Sequence, residues 1–266
     1  MKRTALLFVR TLTLAAMVLC AMLAQSANTI AAVVLPDASS FLQVTAQGAG
    51  PALFGTTSLS NSVTNGGSSA TASITSQPSP LLTGSVSANG TGNQGTVFAQ
   101  YQYYFSVVGP DAVLVPVIIS ANAAVSPSVI QNAAFLSLST SSGAGELARA
   151  CQSSVVGNCG GSIVPSFSYL ATKDILSNSL NIIGLTLSLI ANTNTGNTSE
   201  TGSGFIDPIL TIDPAFARAG EFSLAFSAGV GNTATPLPAA LPLFGTGLGL
   251  MGLVGWWRKR RAEMVA

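Results

Sequence analysis

The sequence predicts an all-β ectodomain, an antiparallel β-sandwich, flanked by an N-terminal signal helix and a C-terminal transmembrane helix. Three observations lead there. Several short stretches in the middle of the chain alternate apolar and polar residues with period two, Gly, Pro and Asp clusters separate them, and an uncharged apolar run lies near each end. The implied layout of the 266 residues is a signal peptide over 1–26, an ectodomain over 27–232 and a C-terminal segment over 233–262 containing a transmembrane helix at 237–257.

At the N-terminus, Lys2, Arg3 and Arg10 precede the uncharged run 11–24. A basic start, an apolar centre and small residues after it describe a secretory signal peptide. Cleavage after Ser26 puts Ala24 and Ser26 at the two positions where small residues are needed. An uncleaved signal anchor is the alternative. A lipoprotein fate fits less well, because Leu19 stands before Cys20 where a small residue is wanted.

In the middle, Val97, Ala99, Tyr101, Tyr103, Phe105 and Val107 make one apolar face, opposite Gln100, Gln102 and Ser106. Gly109, Pro110 and Asp111 supply a turn, and Val113, Val115, Val117 and Ile119 follow, so the pair reads as a hairpin. Pro116 suggests an edge position or a bulge in the second strand. Ile183, Leu185, Leu187 and Leu189 form another apolar face, and Ala70, Ala72 and Ile74, then Val86 and Ala88, repeat the style. Leu210 and Ile212 read as a short strand bounded by Asp207-Pro208 and Asp213-Pro214, and Phe222, Leu224 and Phe226 as the last. A helical turn fits around Ala133 or across 144–149. No internal repeat is evident. One antiparallel sandwich accounts for the strands.

At the C-terminus, 22 residues from 236 to 257 carry no charge, enough to span roughly 30 Å of hydrocarbon as a helix. Trp256 and Trp257 stand where an aromatic belt belongs, and Arg258, Lys259, Arg260 and Arg261 follow as a cytoplasmic, orienting cluster. Gly245 and Gly249 would permit close helix packing. An ordinary permanent anchor is one reading of this segment.

The order of its parts is more particular than that. A proline-rich start, a short glycine-rich apolar helix and a terminal basic cluster, TPLPAALPLF followed by GLGLMGLVGWWRKRRA, resemble the VPLPA variant of PEP-CTERM sorting signals over about 28 residues. Thr235 replaces the usual valine. The resemblance implies recognition by exosortase, an integral-membrane cysteine peptidase, at Pro236, Leu237, Pro238 and Ala239. It also implies a Gram-negative host that makes exopolysaccharide, export across the inner membrane, and a destination on the cell surface or in a biofilm matrix. Residues 205–232 likewise resemble the end of the ectodomain in many PEP-CTERM proteins of unassigned activity.

Composition narrows the chemistry. The chain has no histidine, which removes Ser-His-Asp and Cys-His hydrolases, HExxH metalloproteases and most zinc sites. Charged residues make up 7%. Between 28 and 235, three basic residues stand against eight acidic ones, a balance of −5, so there is no basic patch for nucleic acid. Cys151 and Cys159, with seven residues between them, read as a disulfide closing a surface loop, with Gly157-Asn158 allowing the turn.

Three weaker constellations have bland alternatives. Asp207 and Asp213 would share one face of a continuous strand and begin a calcium site or a carboxylate pair, yet Asp-Pro is a common turn opener. Tyr101, Tyr103 and Tyr104 could stack on sugars, but the first two lie on the apolar face and only Tyr104 points the other way. The Ser, Thr and Asn residues of 193–203 are either glycan acceptors or ordinary loop. The expectation is therefore a non-enzymatic surface or matrix protein with no catalytic residue, metal or cofactor. An exopolysaccharide-binding module, a carboxylate enzyme and a permanently anchored protein are its rivals.

Overall fold

The computed structural model describes residues 33–126, 132–141, 143–153, 159, 164–193 and 199–232. The expected signal helix and transmembrane helix lie outside them. Among the described residues, no helix is long and apolar enough to cross a membrane.

Apart from one 3-10 turn at Ala219–Glu221, the regular elements of the described chain are strands, in order β1 (Ser39–Ala46), β2 (Ala52–Gly55), β3 (Leu59–Asn65), β4 (Ser68–Thr75), β5 (Leu81–Asn89), β6 (Gln94–Val108) and β7 (Leu114–Val125). Then come β8 (Asn132–Thr140), β9 (Gly143–Gln152), β10 (Ser166–Leu176), β11 (Asn181–Asn192), β12 (Ser199–Ile212) and β13 (Ser223–Phe226). They form two antiparallel sheets. Sheet A runs β2-β1-β6-β11-β8-β9, with β13 also on β6, and sheet B runs β10-β7-β12-β5-β4-β3.

The alternation that predicts the strands is the alternation that builds the core. Tyr101, Tyr103, Phe105, Ile183, Leu185 and Leu187 of sheet A are fully buried, as are Ile74, Leu82, Val117, Ile119, Ile206 and Leu210 of sheet B. All belong to one cluster between the two sheets. Each large apolar side chain removed from water contributes about 1.5–3 kcal/mol before entropy is charged against it. Glycines shape the fit. Gly84 and Gly204 are partners in sheet B, and a Cβ on either would stand 3.0 or 2.9 Å from the Leu189 or Leu187 side chain of β11. The paired glycines make a dent that receives two leucines.

Four local expectations change. First, β6 and β7 are not a hairpin: they lie in different sheets and bury their apolar faces toward the shared core. The connection is an arch held from outside. Asn178, at φ 57°, donates through Nδ2 to the Gly109 and Asp111 carbonyls at 3.1 and 3.3 Å. Ser177 Oγ donates to Asp111 O at 2.7 Å and accepts from the Val113 N–H at 2.9 Å. The β10–β11 turn thus fastens the β6–β7 arch.

Second, Pro116 sits in a strand paired on both sides. It is tolerated because it faces the residue just past the end of β12: its carbonyl accepts from the Asp213 N–H at 2.9 Å, and only one bond of that last pair is forgone. Third, Asp207-Pro208 does not bound a strand, because β12 runs straight through it. Pairing with β5 ends at Ile206↔Leu82, so Pro208 needs no donor on that side. Asp213-Pro214 does turn the chain, with Asp213 Oδ1 accepting from the Ala215 N–H at 2.8 Å. Fourth, Ala133 lies in β8 and residues 144–149 in β9, not in helical turns. Pairing of β8 with β11 and of β9 with β8 overrides a weak local preference.

Candidate functional site

The sorting residues Pro236, Leu237, Pro238 and Ala239, and the basic cluster Arg258, Lys259, Arg260 and Arg261, lie outside the described residues. So does Gly157-Asn158. What the structure does describe is the stretch leading to the motif. Ser227 N–H donates to Tyr104 O at 2.9 Å, and Gly231 N–H donates to Ser76 O at 2.8 Å. Asn232 then acts as a one-residue strand partner: its Oδ1 accepts from the Leu210 N–H at 3.4 Å and its Nδ2 donates to the Leu210 carbonyl at 2.7 Å. That pair satisfies the edge of β12 where β5 has ended. The body is bonded to itself as far as the fourth residue before Pro236.

Cys151 and Cys159 form the expected disulfide, with Cα atoms 5.7 Å apart. Both are buried in a small cluster with Ala133, against Phe135. Cys151 also exchanges two backbone hydrogen bonds with Val164, at 2.7 and 3.0 Å. A loop this short gives a cross-link of about 2–3 kcal/mol.

Asp207 lies on the outer face of β12, half-buried, and burial holds its carboxyl above the usual range, partly offset by a hydrogen bond from the Asn122 backbone. Asp213 is spent on its turn. Among the described residues, no group of three or more His, Cys, Asp or Glu side chains is placed to hold a metal ion. Tyr101 and Tyr103 point into the core and Tyr104 faces outward, as the alternation requires. Of the 193–203 stretch, residues 199–203 belong to β12, and 194–198 lie outside the described residues.

The outer faces of the two sheets differ. On sheet B, three rows of partners across β3, β4, β5 and β12 are almost entirely hydroxyls. They read Thr64–Ser69–Ser87–Thr201, Ser62–Thr71–Ser85–Ser203 and Ser60–Ser73–Thr83–Phe205. Several bond sideways, Ser62 to Thr71 at 2.9 Å, Ser69 to Ser87 at 2.8 Å and Ser73 to Thr83 at 2.8 Å.

Sheet A instead carries a groove of about 790 Å³ across β1, β6, β11 and β8. Its floor holds Gln100, Gln102, Thr186 and Ser137. One wall is aromatic: Phe54, 75% exposed, packs on Phe41 with ring centroids 5.0 Å apart, and Phe98 meets the Phe41 ring at 5.9 Å. The opposite wall is Ala144 and Gly145 of β9, beside a register irregularity between Leu136 and Ser137. Gly184 keeps the floor low, since a Cβ there would stand 2.5 Å from Ser137 Oγ. Among the described residues, no charged side chain lines the groove. Beyond it, Glu146 and Arg149 neutralise each other through bonds of 3.0 and 2.8 Å, with the guanidinium over the Phe135 ring. Sequence reading missed this site because its aromatics come from separate strands and reach one wall only through pairing.

No family model matches the chain, and no curated protein does. Among solved structures there is a match to a chain in "Structure of infectious bursal disease virus Gx strain". Identity is 11% and the TM-score 0.22, over 76% of this chain and 57% of that one. The match thus spans a little over half the length of that viral chain.

Proposed function

We propose that the protein is an exported, non-enzymatic surface or extracellular-matrix protein, sorted and processed through a PEP-CTERM-like C-terminal signal. In this reading a signal peptide at 1–26 and a transmembrane helix at 237–257 flank a β-sandwich ectodomain. The observation that carries it is the tail itself: the PLPA run at 236–239, a glycine-rich uncharged segment and Arg258-Lys259-Arg260-Arg261, in that order and spacing. An exosortase-type protease of the inner membrane is the partner this implies. The bonded stretch ending at Asn232 supports the reading, because a cut at 236–239 would leave every described strand intact. The test is the mass and C-terminal peptide of the protein recovered from its native host. A C-terminus within 235–239, lost when Pro236 and Pro238 are replaced by alanine, is the expected result. An intact end at Ala266 would mean a standing membrane anchor and would end the sorting reading.

A further inference from the structure

We infer that the groove on the outer face of sheet A binds a neutral oligosaccharide chain. Side-chain amides and hydroxyls offer both donors and acceptors, the combination that sugar hydroxyls need, and Gln100 and Gln102 are exposed on the floor with both. Thr186 lies between Gln100 and Phe135 in the register, and Ser137, whose Oγ donates to the Gly184 carbonyl at 3.2 Å, adds an acceptor. Phe54 presents a largely exposed ring held by Phe41, a flat apolar surface that matches the C–H face of a pyranose. An uncharged lining fits an uncharged ligand: an anionic chain would enter a groove with no cation to meet it, on a body whose balance is −5. The groove's volume lies within the range of ordinary ligand sites. The hydroxyl rows of sheet B end on one ring, Phe205, only half as exposed as Phe54, and several of their hydroxyls already bond to one another.

The inference deepens the matrix reading by naming a class of partner. It is tested by binding alone, so either can fail while the other stands. The full chain, purified in a sugar-free detergent, is titrated calorimetrically with cello-oligosaccharide, dextran, an N-acetylglucosamine oligomer and an anionic polyuronate. Saturable binding of at least one neutral probe is expected, weakened about five- to tenfold by Phe54→Ala and by Gln100→Ala at unchanged melting temperature. Leu170→Ala, at an equally exposed apolar site in β10 of sheet B, should leave binding intact. Absence of saturable binding to every neutral probe overturns the inference. So does binding of the polyuronate alone, or binding that Phe54→Ala and Gln100→Ala leave untouched.

Discussion

Tyr103 puts a phenol where the core offers it nothing. The side chain is fully buried beside Tyr101, ring centroids 5.7 Å apart, and its hydroxyl has no hydrogen-bond partner. The Ser76 hydroxyl lies near enough to Tyr101 to lower its pKa slightly but is not placed to complete a hydrogen bond. Burial dominates both: it pushes Tyr101 up to about 12 and Tyr103 further in the same direction, with the neighbouring Tyr101 adding to the latter. A raised phenol pKa means that the folded state favours the neutral form. The associated stability is whole below the unfolded value of 10.0 and drains away as pH rises through about 12. The urea midpoint should fall across that window, and Tyr101→Phe with Tyr103→Phe should flatten the fall. At neutral pH, Tyr103→Phe should be neutral or stabilising by up to about 1 kcal/mol in urea unfolding, because an unmet polar group is removed and the ring kept. The sequence showed which way these tyrosines point, since alternation settles a side chain's face. It did not show that their hydroxyls would go unmet, because the atoms opposite come from strands far away in the chain.

At the scale of the element, the strands were legible and their partners were not. Period two marks β6 and β11 because each buries one face along its whole length. Nothing local tells β7 to lie across the core from β6 rather than beside it; that follows from the arch at 109–113 and the Ser177 and Asn178 bonds that hold it. Proline misled for a related reason. Pro116 and Pro208 each lie where a neighbouring strand has run out, and that depends on the neighbour's length. The aromatic wall was hidden in the same way, Phe41 and Phe54 meeting only once β1 pairs with β2. The glycine dent gives the sharpest test of element packing. Gly204→Ala inserts a methyl against Leu187 and should cost about 1–3 kcal/mol by overpacking, read as a lower urea midpoint at unchanged slope. Pairing it with Leu187→Ala, which frees the space, should cost less than the sum of the two single changes.

Over the described molecule as a whole, ion pairing adds little, although the buried Glu200 carboxylate accepts the Asn192 N–H at 2.6 Å. The ion pairs Arg149–Glu146, Arg218–Asp111 and Arg218–Glu221 are all substantially exposed, and such pairs are screened by salt. The packed faces of the two sheets and the disulfide bear the stability instead. The first and last described strands share a partner. Phe105 of β6 pairs with Asn181 on one side and Phe226 on the other, which places β13 on the same edge of β6 as β1. Ser39 opens β1 opposite Gln102, three residues from where Phe226 closes β13 opposite Phe105. The first and last strands therefore lie end to end along one partner. A circular permutant that joins them through a short glycine-serine linker and opens the β3–β4 turn at Gly66 should still melt cooperatively, as scanning calorimetry would show. Joining the strands directly removes 227–232 and with them the Asn232 pair on Leu210, so the permutant should melt lower than the parent while keeping a single transition.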